Sequence, residues 1–442
     1  MKIKNNQIKN ISWSFVGRFI GIISLVLTNS LAARYLTIKD FAFFSLIMSL
    51  IPSAFIFLSF GQDVTSSKFL PKLKSKVTHY ENLVKVFVMI ICVFLLFSFF
   101  FIDEIITFFR GDELLVTYLF TIIIISSILR IVSDYFRATN NFKNFVLFNS
   151  IRSSGGIIIW SFFLLQIFFY FFNNQLSIIN IFASLAFSCL LTLLIFFFIR
   201  GKRIILFLKD GISQIFNLNS QFKIYLKSCS IIALSSILVV LKSDYDFWIV
   251  SAFAKENELA YYAPLIKIAA LIMVPLSIFE SLMPKNISFY FNKNKRSVLE
   301  KYIRTMNTYM FYPSLIFVLI IFFFSKDILL ILFGAKFIHL DLLLKCVAIS
   351  FLPKIFFGPC GQILLFTNFE KINLTVNLTF FLLSIIIGIV LTTNYGYYGM
   401  VVTYIIGLIG INLTFYIIVM NKVKINPLPY FNIFKAIKND KY

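Results

Sequence analysis

Lys242, Lys267 and Lys354 sit deep inside apolar runs in the second half of the chain, and Arg18 and Arg130 occupy similar runs in the first. Near the centre of a membrane span each such charge costs about 2.5–3.5 kcal/mol on insertion scales, so these residues usually face a bundle interior or a water-filled path. The accompanying carboxylates are fewer. Asp246 stands one helical turn beyond Lys242 on the same face, Asp244 points away from both, and Asp134 follows Arg130 at the i+4 position. A surplus of buried cations over buried carboxylates implies an anionic cargo. Arginine grips phosphate through two parallel N–H bonds and lysine acts as a point charge. A lipid-linked pyrophosphate headgroup satisfies such a set, and a cationic drug does not.

The candidate cargo-binding cations are therefore Arg18, Arg34, Arg130, Lys242, Lys267 and Lys354, with Asp134 and Asp246 as charge partners. Structural roles compete with this assignment. Arg34 and Lys345 lie at span ends, where long cationic side chains snorkel to the interface, and Arg130 with Asp134 is spaced as an ion pair that locks helices. The five cysteines, at 92, 189, 229, 346 and 360, show no paired spacing, and His79 and His339 fall on opposite sides of the membrane, so no disulfide framework, metal site or cofactor is expected. No Gly-rich phosphate loop, nucleophile elbow or clustered His/Cys/carboxylate set occurs either, which leaves enzyme chemistry of those kinds without support.

The elements that must position these charges are membrane spans. Of the 442 residues 60% are hydrophobic, 58 of them Phe, and the mean hydropathy is +0.90, well beyond a soluble domain. A helix needs about 20 apolar residues to cross the hydrocarbon core. On that basis spans are predicted at 11–35, 41–61, 84–102, 114–136, 151–171 and 178–199, then at 229–253, 259–283, 309–325, 342–366, 374–392 and 397–420. The net charge of +22 suggests nucleic acid until its placement is read. Most Lys and Arg fall in alternate loops, such as Lys68, Lys72, Lys74 and Lys76, or Arg200, Lys202 and Arg203, while the opposite loops hold only Lys39, Arg110, Lys255, Lys326 and Lys336. This positive-inside pattern puts both termini in the cytoplasm, with the basic loops against an anionic leaflet of membrane lipids. The N-terminal apolar run exceeds the h-region of a signal peptide and reads as a permanent first span.

The halves look related. Asp40-Phe41-Ala42-Phe43-Phe44-Ser45 opens span two as Glu258-Leu259-Ala260-Tyr261-Tyr262-Ala263 opens span eight, and each span is expected to break at a proline, Pro52 or Pro275. Six spans per half preserve orientation, so the repeat is parallel, and a cavity is expected where the halves face each other. The expected fold is all-α and polytopic, about twelve transmembrane helices in two pseudo-symmetric six-helix lobes around a central cationic cavity. The lobes are 1–203 and 228–442, the latter with a short cytoplasmic tail, joined by a cytoplasmic linker at 204–227.

Ala33-Arg34-Tyr35-Leu36, Asp40-Phe41-Ala42, Ser45-Leu46, Phe60-Gly61-Gln62 and Lys68-Phe69-Leu70-Pro71 together, echoed by Asp246 and Ala260-Tyr261-Tyr262-Ala263, resemble the Wzx-type polysaccharide (O-antigen) repeat-unit flippases of the multidrug/oligosaccharidyl-lipid/polysaccharide exporter superfamily. Thr37-Ile38 departs from that family's usual Gly-Pro, and Ala42 and Ala260 stand where Gly is common. The resemblance implies movement of an undecaprenyl-pyrophosphate-linked oligosaccharide across the bacterial plasma (inner) membrane, alongside polysaccharide assembly proteins. Arg18, Lys242, Lys267 and Lys354 would attract the pyrophosphate and glycan, Asp246 would restrain Lys242, and Asp134 or Asp246 would alternatively exchange a coupling cation, H+ or Na+. A multidrug exporter of the same superfamily is expected to carry more carboxylate in its cavity. An O-antigen polymerase is expected to carry a large Arg-bearing outer loop that this chain lacks, and a membrane scaffold gives no reason to bury three lysines.

Overall fold

In the computed structural model, prolines and glycines decide where the apolar runs stop being single helices. The structure describes residues 5–62, 65, 76–138, 141–149, 156–173, 176–213, 220–255, 257–280 and 283–431, and no strand occurs among them. The helices are α1 (Asn5–Tyr35), α2 (Ile38–Ser59), α3 (Lys76–Phe100), α4 (Ile102–Phe108), α5 (Glu113–Ala138), α6 (Phe142–Leu147), α7 (Ile157–Phe172), α8 (Ile178–Ser213) and α9 (Ser220–Phe253). Then follow α10 (Glu258–Ala269), α11 (Met273–Glu280), α12 (Pro284–Asn292), α13 (Arg296–Leu332), α14 (Asp341–Ser350), α15 (Leu352–Phe357), α16 (Cys360–Phe366), α17 (Glu370–Tyr395) and α18 (Tyr397–Ile418). Among the described residues 9 helices are long and apolar enough to cross a membrane, and α7 and the Phe19–Tyr35 part of α1 are shorter apolar helices. The remaining predicted span is the broken run α14–α16. Large side chains such as Phe172, Phe198 and Phe323 are exposed along these helices, a liability in water that lipid removes.

Two expectations about breaks need correcting. Pro52 does not break span two, since α2 runs through it. Span eight does break, but at the 3₁₀ turn Ala270–Ile272, ahead of Pro275. Pro275 has no N–H for the carbonyl of Leu271, four residues back, so the turn before it is the one that tightens. Span ten breaks twice. Pro353 removes the bond to Ile349 and sits in the first turn of α15, the position a helix tolerates best, and Gly358 then ends α15 with φ 70° and ψ −156°. Elsewhere the helices outrun their apolar runs: α8 continues to Ser213, into the segment read as a linker, and α13 spans 37 residues with a non-helical Phe324 inside it.

Contacts divide the chain into two compact units. The first holds residues 5–28 and 47–244, and the second holds 29–46 and 245 onward. This division differs from the sequence halves: it falls inside α9, and it assigns the end of α1 and the start of α2 to the second unit. That segment is held there by Phe41, whose ring packs 6.4 Å from Phe333 and 5.8 Å from Phe337. The repeated openings of spans two and eight share one burial phase. Phe41, Ala42, Phe44 and Ser45 are buried, as are Leu259, Ala260, Tyr262 and Ala263, while Phe43 and Tyr261 are partly open. The second unit's core gathers Leu276, Met283, Ile287, Leu299, Ile303, Met310, Ile363 and Phe415. In the first unit, Phe136, Phe145, Phe148 and Phe196 pack where α5, α6 and α8 meet.

Candidate functional site

Asp246, in the last third of α9, is 3% exposed, and Tyr262 donates its hydroxyl to the Asp246 Oδ2 at 2.6 Å. Tyr404 of α18 and Tyr245 also lie within electrostatic reach of this carboxylate. Tyr245 reaches Ser384 of α17 and packs edge-on to Phe381. Lys267 of α10 places its ammonium 4.7 Å from the centre of the Phe247 ring, and Phe247 stacks edge-on against Tyr262. A cation over an aromatic face at this range is held by the ring quadrupole. The carboxylate and lysine that α9 and α10 contribute are therefore linked through Tyr262 and Phe247. The tyrosines were not picked out in the sequence as chemistry, although Tyr262 belongs to the Ala260-Tyr261-Tyr262-Ala263 run that parallels Ala42-Phe43-Phe44-Ser45.

Lys354 lies on α15, and its carbonyl accepts from the N–H of Gly358 at 3.1 Å in that helix's last turn. Next to α15, the Phe351 ring lies 6.3 Å from Tyr404, which connects the broken tenth span to the Asp246 cluster. A Cβ on Gly358 would stand 2.5 Å from the carboxamide of Asn307. Its φ and ψ lie in a region open essentially to glycine alone, where other residues pay about 1–3 kcal/mol. Gly358→Ala is therefore expected to lower thermal stability in detergent by at least that strain, read as a fall in Tm against the parent.

Lys345 pairs with Asp341 at 3.5 Å. Arg34 is exposed and donates to the backbone carbonyls of Leu330 (2.9 Å), Ile331 and Leu332, and Ser30 donates to Leu332 as well. These carbonyls end α13, where a guanidinium supplies donors at the negative end of the helix dipole. Arg34, which the sequence offers as a cargo contact or a snorkelling end residue, bonds the C-terminal end of α13.

In the first unit, Arg130 sits 5.9 Å from the Phe55 ring, and Asp134 is buried one turn along the same helix. Between them, Ser133 donates to the Asn149 carboxamide at 3.0 Å, tying α5 to the segment after α6. Lys242 is partly buried on α9. Arg18 is in α1, but its side chain lies outside the described residues. The first unit also buries Lys85, 4% exposed and 5.9 Å from the Phe222 ring, which the sequence left at the edge of span three. A cavity of about 630 Å³ opens between α5, α7 and α8, lined by Thr117, Thr121, Gln166, Tyr170 and Ser184 with Phe169 and Phe187. None of the predicted cations or carboxylates lines it.

No protein-family model and no curated protein sequence matches the chain. Solved structures do. An inward-facing MATE-family multidrug resistance transporter of the MOP superfamily has a TM-score of 0.67 at 12% identity, over 95% of each chain. The lipid II flippase MurJ, in an inward closed conformation, has a TM-score of 0.61 at 16% identity, over 98% of this chain and 90% of its own. A MOP-superfamily transporter from Pyrococcus furiosus, whose structure is titled for the reverse polarity of its binding pocket, has a TM-score of 0.59 at 12% identity, over 94% and 97%. At these identities the likeness establishes the fold alone. The chain is all-α and polytopic, with the architecture of MOP-superfamily transporters.

Proposed function

We propose that the protein carries a lipid-linked, pyrophosphate-bearing oligosaccharide from the inner to the outer leaflet of a bacterial plasma membrane, for surface polysaccharide assembly. The observation behind this reading is the placement of Lys267 and Lys354. Each lies within about one turn of a helix break, Lys267 before the turn at Ala270–Ile272 and Lys354 before Gly358. Broken helices at membrane depth belong where backbone lines a cavity or is buried in protein. Two lysines at such breaks, one of them linked through Phe247 and Tyr262 to a buried carboxylate, suit a phosphate-bearing headgroup. Multidrug transporters and a lipid II flippase share this fold, so the choice between cargoes rests on charge. In this reading Asp246 takes up the coupling cation in preference to Asp134, because its tyrosine surround offers oxygen partners. The polyprenyl tail stays in lipid throughout.

The test is a strain lacking the gene, with its surface glycan resolved by length and its lipid-linked intermediates measured in parallel. Loss of surface repeats with lipid-linked repeats retained inside is the expected result. A surface bearing single repeats would indicate a polymerase, and an unchanged glycan with drug hypersensitivity a multidrug exporter. In the same strain, Lys267→Gln and Lys354→Gln are each expected to restore glycan only partly, and the double variant not at all, at parental membrane levels. Full restoration by the double variant would remove these lysines from the site.

A further inference from the structure

Beyond α18 the chain doubles back on the bundle. A π turn at Val419–Val423 leads to Lys424 in the left-handed region, φ 59°, and the following residues run along α13. Arg304 donates to the carbonyl of Leu428 at 3.2 Å and lays its guanidinium 4.3 Å from the Tyr430 ring. The N–H of Tyr430 donates to the Thr308 hydroxyl at 2.9 Å, and the Tyr312 hydroxyl donates to the carbonyl of Phe431 at 2.7 Å. Arg304, Thr308 and Tyr312 recur every four residues, so the contacts follow one face of α13.

Asn307, on the adjoining position and fully buried, joins this run to the break in span ten. Its carboxamide nitrogen donates to the carbonyl of Pro427 at 2.8 Å and to that of Phe356 at 3.1 Å. Phe356 needs that donor. In a continuous helix its carbonyl would bind the N–H of Cys360, but that N–H turns to Gly358 at 2.8 Å, and Pro359 has none to give. The carboxamide reaches the break only because Gly358 carries no Cβ. One buried amide thus satisfies a carbonyl freed by the break and a carbonyl of the segment that follows α18.

We propose that residues 424–431 form a strap that fixes the bend of the tenth span through Asn307, making this segment a control point for movement of that span. Asn307 is a positioning residue: it holds the turn that follows Lys354 and touches no cargo. The hold on the bend is independent of what is carried, and only its consequence for Lys354 rests on the transport reading above.

Cys360 is a native reporter, since it opens α16 immediately after the break and is 2% exposed. The experiment uses the full-length protein with Cys360 as its sole cysteine and measures the rate of maleimide labelling in detergent. A second background, with the buried Cys189 as sole cysteine, reads unfolding of the other unit. Local opening is controlled by the few bonds that hold a segment shut. Asn307→Ala is expected to speed Cys360 labelling about tenfold. Arg304→Ala combined with Tyr312→Phe, which removes the strap's contacts at Leu428, the Tyr430 ring and Phe431, keeps those of Asn307 and Thr308 and leaves span ten untouched, loosens the strap and is expected to speed it about threefold. Cys189 labelling stays at the parental rate in both. An unchanged Cys360 rate in the strap-loosening variant overturns the proposal, even with a response to Asn307→Ala, because the amide would then hold the bend alone. If Asn307→Ala does not fold, the strap-loosening variant decides by itself. The readout requires no transport, so it stands or falls separately from the choice of cargo.

Discussion

Gly61→Ala is expected to leave no folded protein in the membrane. Gly61 follows α2 with φ 68°, and an added Cβ there would lie 2.6 Å from the backbone nitrogen of Ala233 and 2.7 Å from the carbonyl oxygen of Cys229, both in α9. Those are main-chain atoms of a helix, so no side chain can swing aside to make room. The left-handed conformation alone costs a non-glycine residue about 1–2 kcal/mol, and separating two packed helices adds to this. The sum falls in the range above about 4 kcal/mol that is exceptional for a single substitution. Gly111 provides the contrast: its φ is 75°, but nothing lies within 4 Å of its Cβ position. Gly111→Ala should therefore keep a parental elution profile in size-exclusion chromatography and lose only a few degrees of Tm, while Gly61→Ala gives no monodisperse peak. A parental peak and Tm for Gly61→Ala would falsify the close approach of α2 and α9.

Gly61 also shows what was legible in the sequence. Phe60-Gly61-Gln62 stands out as a motif, yet nothing local reveals that the glycine is needed for contact with a helix some 170 residues away in the chain. Hydropathy located the spans because burial in lipid is a property of each segment alone. Breaks were harder, since a proline has different consequences by context: α2 continues through Pro52, while the turn before Pro275 tightens into 3₁₀. The buried charges were visible because charge in an apolar run is conspicuous. Their partners were not, because Tyr262, Phe247, Asn307 and the carbonyls that bind Arg34 are ordinary residues until the fold brings them together. The return of residues 424–431 along α13 gave no sequence signal beyond a short run with two prolines, Pro427 and Pro429.

Asp246→Asn should keep the fold and lose the link between transport and an ion gradient. The asparagine carbonyl can still accept from the Tyr262 hydroxyl, 2.6 Å from the present oxygen, and its volume is almost that of aspartate, so packing and the hydrogen bond survive. What goes is the negative charge, and with it the capacity to bind and release H+ or Na+. Tyr262→Phe does the reverse: it keeps the charge and removes a donor to it, a bond of the charged kind that contributes about 1.5–3 kcal/mol. The two variants should therefore separate. In proteoliposomes with an imposed pH or sodium gradient, parental transport is expected to rise with the gradient under the coupling role proposed for Asp246. Asp246→Asn is expected to run at least tenfold slower and flat against it, with a Tm near the parent's. Tyr262→Phe is expected to lose stability and keep its gradient dependence. Gradient-dependent transport of parental size in Asp246→Asn would move the coupling site to Asp134, the other buried carboxylate that follows a cation by one helical turn.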